Sequence, residues 1–220
     1  MLLFCLMSAS VCAAESICYG STSNGRLEGG VQLPGEGSNF VSYSDTAALM
    51  GRTYVHSVVR RAVVGAYGSL ESSMPDKVFK YAETGLQGGG PFSPHKTHQN
   101  GLSVDFMVPV IDRQGRSVHL PTHYFNKLGY AVEFNRQAEY DGLRIDFEAM
   151  AAHLAALHRA AQAEGIDIWR VIFDPDLQPK LWQTEQGAYL KKHLTFSTRR
   201  SWVRHDEHYH VDFTVACRPM

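Results

Sequence analysis

Eleven histidines are present in the 220 residues, and five of them fall in two short windows, 95–98 and 205–210. The first window continues as His95-Lys96-Thr97-His98-Gln99-Asn100-Gly101-Leu102-Ser103-Val104-Asp105. Imidazole and carboxylate together suit a borderline cation such as Zn²⁺, and His98 with Asp105 would supply one nitrogen and one oxygen from a loop and the strand that leaves it. Gly101 gives the chain room to turn between them. The second window reads Arg204-His205-Asp206-Glu207-His208-Tyr209-His210-Val211-Asp212-Phe213. On a strand the side-chain period is two, so His208 and His210 project from one face, where one can bind a metal while the other reaches substrate. A His and an Asp seven residues apart are ordinary by themselves. Two imidazoles side by side on a sheet are costly unless a metal or a carboxylate uses them, and the two windows together point to a metal site.

The elements that must carry these windows can be read from periodicity and punctuation. Residues 20–44, rich in Gly, Ser, Asn and Pro, read as a surface-wrapping entry loop. Ser44-Asp45 opens a periodic stretch through Leu49, Met50, Val55, Val58, Val59 and Val63 that predicts one amphipathic helix ending near Gly65 and Gly68. Residues 77–81 read as a strand, 85–94 as the loop that delivers the first histidines, and 102–111 as a buried strand. Asp146 can cap a helix whose face is Phe147, Met150, Leu154, Leu157 and Ala161, with Gly165 placed to stop it. Strands over 166–173 and 209–216 enclose short helices from Pro175 to Trp182 and around 189–194. No regular βαβ rhythm is present, so the fold class is α+β with a mainly antiparallel central sheet, flanking helices and long loops.

Met1 to Ala14 is an apolar run ending in small residues before Glu15, the pattern of a secretory signal and its cleavage site, although no Lys or Arg precedes Arg26. Its removal leaves a single domain over 15–220 in the periplasm or outside the cell, with two cysteines, Cys18 and Cys217. An even count in an exported chain predicts a disulfide between them, against the alternative of two separate buried thiols. Composition limits the function classes: 44% hydrophobic and 20% charged residues make one globular domain, and a net charge of -1 gives no basic field for nucleic acid. No internal stretch reaches the roughly 18 to 20 apolar residues that would span a bilayer. Near-neutrality conceals a segment, Lys191-Lys192-His193 to Arg199-Arg200 and Arg204, with five cations and no acid. It is either a solvated loop or a surface that binds carboxylates through Arg199, Arg200 and Arg204. Trp169, Trp182 and Trp202 are expected in the core or a groove wall. His153 and His158 are expected at the surface or half-buried, and His119 and His123 have no assigned chemistry.

H-x-x-G-x-S-x-D at His98 to Asp105 with H-x-x-H-x-H at His205 to His210 resembles the LAS metallopeptidases, and most closely the penicillin-insensitive murein endopeptidases. Those enzymes carry H-x-x-H-Q-x-G-L-x-V-D, matched here by His95, His98, Gln99, Gly101, Leu102, Val104 and Asp105, with further matches at Ser23-Asn24-Gly25 and Phe173 to Pro175. The resemblance implies a LAS-like fold and an exported hydrolase with one Zn²⁺ that cuts peptide cross-links between the stem peptides of peptidoglycan. It implies His98, Asp105 and His210 as metal ligands, His208 as the catalytic histidine, and His95 and His205 beside the metal or substrate. Glu207 lies three residues before His210, giving the E-x-x-H of the related D-Ala-D-Ala carboxypeptidases and dipeptidases, where the Glu is the base. Strand alternation places Glu207 on the face opposite the ligands, which favours His208. The alternatives are a D,D-carboxypeptidase or dipeptidase of the same fold and a noncatalytic zinc-containing binding module.

Overall fold

A computed structural model describes residues 15–201 and 203–220, so the predicted signal at 1–14 and Trp202 lie outside the described residues. The segment expected as an entry loop contains four short strands. β1 (Ile17–Ser21) and β2 (Asn24–Glu28) form a hairpin, β3 (Val31–Gln32) follows, and β4 (Phe40–Ser42) joins the main sheet. Glycine marks the turns here as expected, but Leu27 and Leu33 among them are buried, and alternation over strands of two to five residues is too short to read against a Gly- and Ser-rich background.

The helix expected from Ser44 to Gly68 is two helices. Ser44 caps α1 (Asp45–Leu49), accepting from the Ala47 amide, and the chain turns at Gly51, whose φ of 78° is in the left-handed region. It then runs through β5 (Tyr54–Val55), paired with β3, into α2 (Ser57–Ser73), which is capped by His56 Nδ1 accepting from Val58 N. A glycine with positive φ outweighs the apolar period on either side of it.

β6 (Phe79–Tyr81) and β7 (Ser103–Met107) flank the loop that carries the first histidines, and Pro109 separates β7 from β8 (Val110–Ile111) where one strand was expected. β9 (Ser117–Val118), β10 (Glu139–Tyr140) and β11 (Leu143–Ile145) join β8 in a small antiparallel sheet ordered β10-β11-β8-β9. Asp146 Oδ1 caps α3 (Phe147–Ala163) by accepting from Ala149 N, and Gly165 at φ 74° stops it, both as expected. β12 (Asp167–Ile172), α4 (Gln178–Leu181), α5 (Gly187–His193) and β13 (His208–Thr214) complete the chain. No helix among the described residues is long and apolar enough to cross a membrane.

The main sheet is ordered β12-β13-β7-β6-β4 and is antiparallel except for the β4–β6 pair, so the class is α+β. Its two faces have opposite characters. In the β7–β13 register His210 is opposite Asp105 and Asp212 opposite Ser103, while Phe106 is opposite Tyr209 and Val104 opposite Val211. Alternation therefore sends one set to an apolar core beneath α2 and α3 and the other to a polar face.

His153 on α3 is part of that core. Its ring is fully buried against Tyr67, Phe79 and Phe106, with Nδ1 2.8 Å from the Tyr209 hydroxyl. His158 is also buried, bonded to the Tyr189 hydroxyl at 2.7 Å. The expectation of surface or half-buried positions fails because a histidine on a helix can fill core volume once one ring nitrogen has a partner. Trp169 departs in the other direction: a register shift between Ile168 and Arg170 leaves it 54% exposed, with the Arg170 guanidinium over its ring. Trp182 packs partly buried against the core.

Candidate active site

The polar face of β7 and β13 meets the loop from Gly85 to Asn100 at a cavity of about 600 Å³. That loop is held in place by the β1–β2 hairpin: Gln99 N donates to Thr22 O, Gly90 N to Gly25 O, and Leu27 N to Gly88 O. Gly89, at φ 67°, sits against this hairpin, and a Cβ there would run into the Gln99 carbonyl. Gly101, at φ 77°, brings the backbone to His56 N, where a Cβ would come within 2.8 Å. The result is that His95 and His98 are presented to Asp105 by a fixed loop.

Asp105 is the hub. It is fully buried, and its Oδ1 lies 3.4 Å from His98 Nε2 and 2.8 Å from His210 Nδ1. Its Oδ2 accepts from the Tyr130 hydroxyl at 2.9 Å and faces His208 Nε2 at 3.7 Å and His95 Nδ1 at 3.9 Å. Burial alone would raise this carboxyl, but the surrounding imidazoles, His98 and His208 foremost, hold it well below the usual carboxylate range.

Each histidine is oriented by a further partner. His98 donates Nδ1–H to the Thr84 carbonyl at 3.0 Å, which leaves Nε2 with its lone pair directed at the hub. That nitrogen is buried and has no hydrogen-bond partner. His210 donates Nε2–H to Asp212 Oδ1 at 2.8 Å, and Asp212 in turn accepts from Ser103 Oγ at 2.5 Å and Arg170 Nε at 2.6 Å. Burial opposes a charge on His210, yet Asp212 and Asp105 on either side push it up to about 10. His95 Nε2 pairs with Glu83, which also takes Arg52 and the Tyr43 hydroxyl; burial would raise Glu83, but hydrogen bonds from His95 and Arg52 bring it down to about 2. His205 donates Nδ1–H to Val203 O at 3.0 Å, and burial pushes it down to about 4.

These residues fit a metal ion. His95, His98 and Asp105 form a candidate metal-binding group whose ligand atoms all lie within 4.8 Å of one another. His210 Nδ1 is a third nitrogen beside the same carboxylate. An orphaned imidazole lone pair facing a buried carboxylate is the arrangement a borderline divalent cation satisfies.

Glu207 departs from its expected placement. It precedes the first residue of β13, so pleat alternation does not govern it, and it lines the cavity with His205, His208 and His210. Its Oε1 accepts Nδ1–H from His208 at 2.8 Å, and its Oε2 accepts from Asp206 N at 3.1 Å. Burial lowers His208, but the neighbouring Glu207 and Asp105 outweigh it and leave the imidazole raised.

Arg204 also departs. Its Nε donates to Asp174 Oδ2 at 2.6 Å and its Nη1 to Phe134 O at 2.7 Å, with Asp206 at 3.2 Å, so its charge is already used inside the protein. Arg200 lies near Asp174 and Asp176 and is mostly exposed, and neither it nor Arg199 lines the cavity. Among the described residues of 191–204, Ser201 and Val203 reach its wall. The cations that do line it are Lys96, Lys127 and Arg170. Sequence reasoning missed Glu83, Tyr130, Arg170 and Asp212. Only Asp212 carried a signal, since the i, i+2, i+4 alternation that paired His208 with His210 continues to it.

A family model described as penicillin-insensitive murein endopeptidase matches residues 18–219. A comparison with curated proteins finds no match.

Proposed function

The chain belongs to the penicillin-insensitive murein endopeptidases, and on that premise we propose that it hydrolyses the amide joining the D-alanine of one stem peptide to the diamino acid of another, in the periplasm. Membership makes it a metallopeptidase acting on murein and removes the noncatalytic alternative. The proposed ion is a single Zn²⁺ on His98, Asp105 and His210 in a LAS-like fold. The observation that carries this reading is the buried, unpartnered His98 Nε2 aimed at Asp105, beside His210 Nδ1. Zinc bound there would polarise the scissile carbonyl and lower the pKa of a coordinated water from about 15.7 towards about 7.

The protein's own groups do the proton work. Glu207 holds Nδ1–H of His208, which directs His208 Nε2 toward Asp105. His208 at that position accepts a proton as the nucleophile attacks and returns it to the leaving amine, with Glu207 stabilising the imidazolium. The Tyr130 hydroxyl fixes the orientation of the Asp105 carboxylate, and the His205 ring packs at a tilt against His208 with ring centroids 4.6 Å apart. His95, held by Glu83, stands at the cavity wall as a substrate-contacting or ligand-supporting group.

A D,D-carboxypeptidase or dipeptidase reading is favoured by one feature, the presence of the Glu207 carboxylate in the cavity. Incubating the purified protein with cross-linked sacculi, with and without chelator, separates the two. Mass spectrometry of the products should show dimeric muropeptides converted to monomers only when metal is present. Release of free D-alanine instead would assign the carboxypeptidase activity, and no cleavage by zinc-loaded protein would overturn both.

A further inference from the structure

Residues 124–129 form a tight turn segment, kinked through Asn126, Lys127 and Leu128, that leads into the active site. Asn126 is its anchor: the side-chain oxygen accepts from His123 N and Gly129 N, both at 2.9 Å, and the amide donates to Pro121 O at 2.8 Å. Thr122 beneath it donates to Tyr43 O at 2.7 Å and accepts from Lys80 Nζ at 2.8 Å. Lys127 and Leu128 are both held in the left-handed region, at φ 52° and 57°, and both line the catalytic cavity. Five residues beyond Phe125, Tyr130 donates its hydroxyl to Asp105.

This rigid segment carries two aromatic side chains outward. Tyr124 is 85% exposed and Phe125 92%, with ring centroids 5.9 Å apart and planes crossing at 78°. Nothing in the folding of the domain is gained by holding two aromatic rings in water on a strained, multiply bonded support, and exposed apolar groups of this kind mark interaction sites. We propose that Tyr124 and Phe125 are a binding platform for the glycan strand to which the cleaved peptides are attached.

The chemistry selects the glycan over the peptide. Stem peptides offer small aliphatic and charged groups to the cavity, whereas pyranose rings present flat C–H faces edged by hydroxyls, which complement an exposed aromatic face. The place favours it too: Lys127 and Leu128, two and three residues after Phe125, line the cavity, so the aromatic pair adjoins along the chain the wall that would receive a cross-link. The proposal rests on the murein reading above for its ligand, and its test does not require cleavage.

Peptide-free glycan strands, prepared by stripping murein with an amidase, are the probe. The zinc-loaded full chain should be retained by them, and a Tyr124→Ala/Phe125→Ala variant should bind about tenfold more weakly or worse. Tyr124→Trp/Phe125→Trp should restore binding, and Tyr124→Leu/Phe125→Leu, apolar but without rings, should not. The ratio of cleavage rates on sacculi and on a sugar-free cross-linked peptide dimer should fall by a similar factor in the Ala variant. Absence of wild-type retention, equal retention of the Ala variant, or retention on phospholipid vesicles in place of glycan would each overturn the platform. Failure to cut the sugar-free dimer would instead count against the proposed reaction, with glycan retention still deciding this one.

Discussion

His98 and His205, one in each histidine window, both adopt left-handed backbone conformations, at φ 69° and 57°. For a non-glycine residue that costs about 1–3 kcal/mol and persists only where surrounding contacts impose it. At His98 they are the Thr84 carbonyl and the hairpin behind the loop; at His205, the bond to Val203. The metal prediction belongs at this scale. His98→Ala and His210→Ala should each abolish stoichiometric zinc by elemental analysis, whereas His95→Ala should retain it; loss of metal in His95→Ala with retention in His210→Ala would reverse the third ligand. Asp212→Ala removes the acceptor that orients His210 and should weaken zinc about 10–100-fold in chelator competition. His208→Ala should keep its metal and lose about 10²–10⁴ in kcat, more than Glu207→Gln, which keeps the imidazole and loses only the carboxylate that orients it and stabilises its charged form. The reverse ranking would make Glu207 the base. That His208 and His210 would share one face was legible from spacing because a strand's period is two. Glu83, Tyr130 and Arg170 were not, since each comes from a separate segment brought in by packing.

At the scale of elements, α3 was the most legible, because a capping Asp146, an apolar face and a terminal glycine agree. The split of 44–68 at Gly51 was not, since the apolar period runs on across the turn. What periodicity could not assign was the status of His153, which occupies a core position between α3 and the sheet. Burial pushes this imidazole down to about 3, against 6.5 for a histidine in water. The unfolded chain therefore takes up a proton below pH 6.5 that the folded chain refuses until about pH 3. Stability is full above pH 6.5 and falls as pH drops through that window, by about 2 kcal/mol at pH 5. Denaturant midpoints measured from pH 7.5 to 5 should show this slope, and a His153→Leu variant, whatever its absolute stability, should show a shallower one. An unchanged slope would mean that other groups carry the acid sensitivity.

On the scale of the whole molecule, Cys18 and Cys217 form the expected disulfide, 199 residues apart in sequence. It joins β1 to the chain end, and Arg218 N donates to Cys18 O beside it. Because β1 and β2 also support the histidine loop, this closure stiffens the wall of the site as well as the termini. Loop-closure entropy allows it about 4–5 kcal/mol at most. A Cys18→Ser/Cys217→Ser variant should melt at a lower temperature than the oxidised protein, and reductant should lower the wild type to match; an unchanged midpoint would remove any role of the bridge in stability. The α+β class and a mainly antiparallel central sheet were legible in the sequence, but the separate β10-β11-β8-β9 sheet and the order of strands were not, because β13 pairs across a hundred residues with β7.

That strand order has a consequence for biosynthesis. β13 is the last strand among the described residues but lies inside the sheet, between β12 and β7, and it brings His208, His210 and Asp212. Everything the ribosome or an export channel releases before residue 208 contains His95, His98 and Asp105 with an open gap where the middle of the sheet belongs. A stalled, clipped or partly translocated chain is thus unable to act as a weaker version of the enzyme. The two halves of the proposed site therefore come together in one step, when β13 inserts between β12 and β7.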